Sequence, residues 1–221
     1  MKKRSKNMSI RTWCAAAVMA LVTAVSGADF WTPDIAGKSV IDKQSDPCVV
    51  SGRTEIKQLE EGPALVFRGG QDPAVFSSKD ILDNESGSIE FFFQPDLPEK
   101  APAHASTLFI SGKYSIGFYT SPGKVPAIYF LTKTTEGKPA GIYNKYPLQN
   151  GKWHHLKAYW DAKSMFLAVD GKFLASSGRG GSVFDSVFRI GDGQGGFCRA
   201  KIRDFRIYKG TKNAAAPQKK K

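Results

Sequence analysis

The side chains that could do chemistry are few, and most are spaced for structure. His154 and His155 are adjacent, so on a strand they face opposite sides and cannot chelate one ion together. Glu60 and Glu61 are also adjacent, and their carboxylates diverge if the chain is extended; Glu90 is the only acid in Ser88–Gln94. No Cys-x-x-Cys or Cys/His cluster has the spacing of a structural zinc site. No Gly-x-Ser-x-Gly elbow presents a serine nucleophile. The sequence therefore assigns no catalytic residue and no metal ligand. What it does supply is tyrosine. Sugars are gripped by flat aromatics on an open face with hydrogen-bonding neighbours. Tyr119, Tyr129, Tyr143 and Tyr146 lie in or near central strands, and Tyr159 shares a face with Lys157, opposite Leu156, Ala158 and Trp160. Most tyrosines of a β-sandwich sit at the edge of its core, so none of these is assigned as a ligand contact.

The elements that must position them are strands. Short apolar or alternating runs recur through the chain, bounded by Gly, Pro, Asp and Asn, and nothing past residue 28 has the pattern of a long amphipathic helix. The clearest run is Ser88–Gln94, in which Ile89, Phe91 and Phe93 point one way and Glu90, Phe92 and Gln94 the other. Pro95 ends it. Further strands are predicted at Ala64–Phe67, Ala74–Ser77, Thr107–Ser111, Ser115–Tyr119, Ala127–Thr132, Gly141–Tyr143, Trp153–Asp161, Met165–Val169, Lys172–Ser176, Val187–Ile190 and Ala200–Tyr208. Asp170-Gly171 supplies the positive φ angles of a tight hairpin. In Ala200–Tyr208 the phase slips: Ile202 shares a face with Asp204, while Phe205 and Ile207 face the other way. Either a bulge sits near Asp204 or an acid turns inward. So many strands fit an all-β, two-sheet antiparallel jelly-roll sandwich.

The ends of the chain read differently from the middle. Lys2, Lys3, Arg4, Lys6 and Arg11 precede an apolar stretch, Trp13–Val25, and the small residues Ser26-Gly27-Ala28. That is the pattern of a cleavable signal peptide over 1–28, with an apolar stretch short of the roughly 20 residues of a membrane span. The domain then occupies 29–210, and 211–221 is a basic tail ending in Lys219, Lys220 and Lys221. The net charge of +12 is concentrated at these ends. Without the basic leader it falls to about +7, and without the tail lysines to about +3, so the high charge is no argument for nucleic acid. The expected setting is secreted or periplasmic, with no membrane span after cleavage. There Cys48 and Cys198 suggest one disulfide, or else two buried thiols. A bridge would close a loop of about 150 residues and stabilise by roughly 5 kcal/mol in the chain-entropy model.

Three segments together resemble the laminin G-like family of the concanavalin A-like lectin/glucanase superfamily. GPALVFRGGQDPAVF (62–76) with SGSIEFFFQPD (86–96) resembles a small-apolar-Phe-x-Gly strand followed by an aromatic strand ending near Pro-Asp. GKWHHLKAYWDAKSMFLAVDGK (151–172) resembles the family's Gly-x-Trp-His strand, Asp turn and Val-Asp-Gly hairpin. FRIGDGQGGFCRAKIRDFRIYKG (188–210) resembles its Ile-Gly, glycine-rich loop and closing Asp-x-Phe-Arg-Ile-Tyr strand.

The resemblance implies a concanavalin A-like sandwich that recognises glycans or proteins, in some members with calcium. It also implies that first and last strands are neighbours, which makes a Cys48–Cys198 bridge plausible. Enzymes of the superfamily set the contrast. Its glucanases use Glu-x-Asp-x-Glu on one strand face, where period two aligns the acids for a retaining mechanism. This sequence has no such triplet. Alginate lyases of the same fold use Gln-x-His and a Tyr/Lys-rich strand; Tyr143, Lys145, Tyr146 and Gln149 resemble the latter, but Pro147 interrupts the run and no Gln-x-His occurs. For calcium, Asp72 and Asp204 fall where family acids occur and Asp192 lies in the loop from Gly191 to Gly196; Ca²⁺ wants six to eight oxygens, so these are weak candidates. The expectation is an exported, non-catalytic module that binds carbohydrate or envelope glycans. The alternatives are a protein-interaction or structural envelope component without a sugar site and, further off, a carbohydrate-active enzyme.

Overall fold

The computed structural model describes residues 30–36, 39–42, 49–50, 54–69, 73–97, 103–134, 136–181, 183–192 and 198–210. The expected signal peptide over 1–28, the expected basic tail over 211–221, Cys48 and Asp72 lie outside the described residues.

The described elements are all strands: β1 Phe30–Trp31, β2 Pro33–Ala36, β3 Ser39–Asp42, β4 Val49–Val50, β5 Thr54–Leu59, β6 Gly62–Arg68, β7 Ala74–Ser77, β8 Gly87–Pro95, β9 His104–Ser111, β10 Tyr114–Thr120, β11 Ala127–Lys133, β12 Pro139–Lys145, β13 His154–Trp160, β14 Ser164–Val169, β15 Lys172–Gly178, β16 Val187–Ile190 and β17 Arg199–Lys209. Every strand predicted from the pattern is present, with ends shifted by a few residues. Two antiparallel sheets form the sandwich. One runs β15-β14-β13-β8-β17-β6-β5, with β1 also paired to β17; the other runs β12-β11-β10-β9-β16-β7-β4. β2 and β3 form a separate pair. Phe30 pairs with Tyr208, so the first described strand does lie beside the last.

The core is the apolar half of each alternation. Ile89, Phe91 and Phe93 of β8 are buried against Phe118 and Phe130 of the facing sheet, while Glu90, Phe92 and Gln94 look outward. Aromatic rings pack within and between the layers: Phe91 stacks on Phe205 of the neighbouring strand at 5.3 Å, and Phe93 stacks on Phe118 across the layers at 5.9 Å. Each such buried ring contributes about 1.5–3 kcal/mol through removal from water.

Two local irregularities follow from sequence. Asp170 and Gly171 carry φ of 51° and 72°, and Val169 pairs directly with Lys172, so this is a two-residue hairpin with both central residues left-handed. The slip in β17 is a bulge. Asp204 has φ of 52°, the register with β8 shifts between Arg203 and Arg206, and the Asp204 side chain is exposed and paired with Arg203 at 2.6 Å. The extra residue lets both Ile202 and Phe205 enter the core without burying the acid.

Candidate functional site

The solvent face of the seven-stranded sheet holds aromatic side chains that the core does not absorb. Alternation sends Ile128, Phe130 and Ile142 inward and Tyr129, Leu131 and Tyr143 outward. Register then aligns a row across four strands: Thr107 pairs with Gly117, Gly117 with Tyr129, and Tyr129 with Tyr143. In the next row Tyr119 pairs with Ala105 and Ala127; in the row on the other side Ser115 pairs with Ile110 and Leu131. A bulge makes these rows possible. The register of β9 against β10 shifts at Ile116/Gly117, and both Leu108 and Phe109 enter the core, which leaves Thr107 and Ile110 on the solvent side.

Gly117 gives the row its shape. A Cβ there would sit 2.2 Å from the Ser106 carbonyl oxygen and 2.5 Å from the Tyr129 hydroxyl. The absent side chain lets the Tyr129 ring cross β10, placing its hydroxyl 3.0 Å from Thr107 Oγ1 and in reach of the Ser106 carbonyl, to which it donates at 3.4 Å. Tyr129 thus forms a nearly buried floor. Burial pushes its phenol up to about 12, against the lowering pull of the Thr107 hydrogen bond. It stays neutral at physiological pH and cannot serve there as a base.

Tyr119 and Tyr143 stand beside this floor, their ring centroids 6.4 Å apart and planes at 51°. Tyr143 is 57% exposed. Together with Ala105, Thr107, Ser115, Leu131, Lys113 and Lys133 they bound a groove of about 340 Å³. Among the described residues no carboxylate lines it. The rings offer flat apolar surface; the hydroxyls and ammonium groups offer hydrogen bonds around it. That combination is suited to bind and orient a polar ring with apolar faces, and among the described residues it holds no acid pair of the kind glycoside hydrolysis uses.

The other residues singled out from sequence lie elsewhere. Tyr159 is buried against Phe166 on the eight-stranded sheet, at 5.4 Å. The Tyr146 hydroxyl donates to Asp170 at 2.8 Å, so it is not beside Tyr143 in the groove. His154 is buried, its Nδ1 lies 2.7 Å from Asp170, and its Nε2 accepts the Gln149 N–H at 3.2 Å. This fixes Nδ1–H as the donor and leaves no free nitrogen for proton transfer. His155 stacks on Phe92 at 4.6 Å, on the other face of β13. Glu90 accepts from the Tyr208 hydroxyl at 2.5 Å and is ringed by Arg206, His155 and Lys157 within 4.0 Å; it faces cations, not a second acid.

Of the calcium candidates, Asp72 lies outside the described residues, and Asp204 and Asp192 are each held by an arginine. Asp204 pairs with Arg203 on the eight-stranded sheet, and Asp192 pairs with Arg189 at 3.7 Å at the end of β16. Burial raises the Asp192 carboxyl above its ordinary value, opposed by Arg189. Among the described residues no three His, Cys, Asp or Glu side chains are grouped to hold a metal ion. Cys198 is buried and carries no disulfide among the described residues.

The tyrosine groove escaped the sequence reading as a unit because its residues span 105–143 and meet only through register. The signal that could have found it is the glycine at 117, opposite Tyr129 in a strand that otherwise alternates aromatic and branched residues with Ser115.

Comparison with known proteins agrees with this fold. A family profile for the laminin G-like group, described as the concanavalin A-like lectin/glucanases superfamily, matches residues 68–216. The chain belongs to that family. No curated protein matches this laminin G-like chain in sequence. Solved structures of similar fold include a botulinum neurotoxin serotype D binding domain, at 14% identity and TM-score 0.58 over 81% of this chain and 47% of that one. The binding domain of botulinum neurotoxin DC in complex with rat synaptotagmin II has 17% identity and TM-score 0.61, over 82% and 48%. The same toxin's binding domain with SialylT has 17% identity and TM-score 0.58, over 77% and 44%. At these identities the likeness is one of fold. The laminin G-like chain spans just under half the length of those neighbours.

Proposed function

We propose that this laminin G-like domain is an exported, non-catalytic glycan-binding module whose sugar contacts lie in the tyrosine groove. The observation that carries the reading is the exposed Tyr143 ring beside Tyr119, above a floor that Tyr129 can form only because residue 117 is glycine. The C–H face of a pyranose stacks on such rings, and its hydroxyls bond to groups like Thr107, Ser115, Lys113 and Lys133. A volume near 340 Å³ is at the small end of ligand sites, which run from about 300 to 1,000 Å³, and suits a short glycan segment or a chain end. Some structural neighbours are seen with a glycan and with a protein partner, which supports recognition as the role of this fold. The missing Glu-x-Asp-x-Glu and the occupied imidazole of His154 favour binding over hydrolysis.

Export rests on residues 1–28, and it makes a Cys48–Cys198 disulfide the chemical expectation for the mature chain. Alkylation followed by intact mass, with and without reductant, tests that bridge. The functional reading is tested by presenting the mature chain to a broad panel of neutral and acidic glycans. Saturable binding to a subset supports it; no binding across the panel contradicts it.

A further inference from the structure

We infer that the solvent face of the eight-stranded sheet carries a second binding groove, for the oxyanions of an acidic polysaccharide. It is independent of the tyrosine groove, which lies on the other sheet. This groove is the larger of the two, about 600 Å³, and is built from β5, β6, β17, the end of β8 and the Asn150-Gly151 turn.

Its lining is rich in cations and in hydrogen-bond donors. Lys57, Arg68, Arg199 and Lys201 line it against two acids, Asp96 in the lining and Glu55 beside it, which lies 3.5 Å from Lys57 as well as near Arg68. Arg68 and Arg199 are direct cross-strand partners, an arrangement that repels unless anions sit between them. Each has one acid, Glu55 at 3.0 Å for Arg68 and Asp96 at 2.6 Å for Arg199. Arg199 uses Nε and one terminal nitrogen on Asp96, and Arg68 uses one terminal nitrogen on Glu55, so both keep guanidinium N–H groups in hand. One step along, Val66, Lys201 and Gln94 form the next row. The Lys201 ammonium has no ion-pair or hydrogen-bond partner among the described residues. Asn150 accepts the Leu97 N–H through its carbonyl at 2.7 Å, which leaves its NH₂ group to donate.

A donor-rich, acceptor-poor groove takes a ligand made of acceptors, and net positive charge selects carboxylate or sulfate oxygens. Its apolar parts, Val66, Phe67 and Ala200, are buried, so it offers neither an exposed ring for nucleobase stacking nor apolar surface for lipid tails. The charges are spread over β5, β6 and β17, adjacent strands about 4.8 Å apart. That spread matches a polymer bearing a charge on successive sugars better than a single small ion. β5 is the sheet's edge, so a long chain can leave the groove past Lys57.

The test is titration calorimetry of the full chain with dextran sulfate, unmodified dextran, inorganic sulfate and phosphatidylglycerol vesicles. The expected result is salt-sensitive binding to dextran sulfate, weakened at least about tenfold in an Arg68→Gln/Lys201→Gln variant that keeps its circular dichroism. A variant with Lys219, Lys220 and Lys221 changed to Gln should stay within about twofold of the parent, since the inferred contacts are made by the groove residues. Loss of binding in the tail variant but not in the groove variant would overturn the inference. So would inorganic sulfate or vesicles binding as tightly as the polymer.

Discussion

The Tyr129 hydroxyl lies 3.0 Å from Thr107 Oγ1, two strands away, and the ring reaches it only by passing over the bare backbone of Gly117. One glycine thus joins three strands and sets the depth of the groove in which Tyr119 and Tyr143 stand.

Gly117→Ala is therefore expected to be severe for so small a change. The new Cβ meets a backbone carbonyl that cannot swing aside as well as the Tyr129 ring. Overpacking of this kind costs about 1–3 kcal/mol, and the upper end is expected where backbone is in the way. Chemical denaturation should show the loss. A variant as stable as the parent would mean that Tyr129 does not lie across β10.

The hairpin that closes β14 onto β15 makes a pH-dependent prediction. Asp170 accepts three hydrogen bonds, from His154 Nδ1 at 2.7 Å, the Tyr146 hydroxyl at 2.8 Å and the His155 N–H at 2.8 Å. Partial burial works to raise its pKa, but the hydrogen bonds from His154, His155 and Tyr146 outweigh it and hold the carboxyl below its ordinary value. A depressed carboxylate stabilises the fold above the unfolded value of about 3.9, and that contribution disappears as pH falls through the folded value. Asp170→Ala should cost about 2–3 kcal/mol near pH 7, because it also orphans the buried His154 N–H. The gap between variant and parent should narrow below about pH 4. Urea denaturation across that range checks it, and an unchanged gap would be a contradiction.

Much of this framework could be read in the sequence. Ser88–Gln94 announced its two faces because period two is preserved in it, and Asp170-Gly171 announced its turn because positive φ is costly for most residues. The bulge at Asp204 was one of two readings of a phase slip, and only packing decides between them. β5 was missed: Thr54–Leu59 is a sheet-edge strand with Glu55, Lys57 and Gln58 facing water, so it has no apolar run to see. The second groove was invisible for another reason. Arg68 and Arg199 are cross-strand partners separated by most of the domain's sequence, and read along the chain they are merely scattered charges.

Cys198 gives a chemical prediction. Full burial pushes its thiol well above the ordinary range, and the charge of Asp192 pushes the same way. In reduced protein it should resist a thiol reagent at pH 8 and react promptly once unfolded, because the thiolate is the reactive form. Mass spectrometry after timed alkylation reads this. Fast labelling of Cys198 in the native state would show that the site opens to solvent.

The central claim is that the tyrosine groove holds a glycan. Its most direct test is titration of the glycan bound best by the parent chain against a Tyr119→Ala/Tyr143→Ala variant. Tyr143 is exposed and Tyr119 half-buried, so the variant should keep its melting temperature to within a few degrees. Its affinity should fall by at least about tenfold, the loss expected when two stacking rings are removed. An affinity equal to the parent's, in a variant that is folded, would contradict the account.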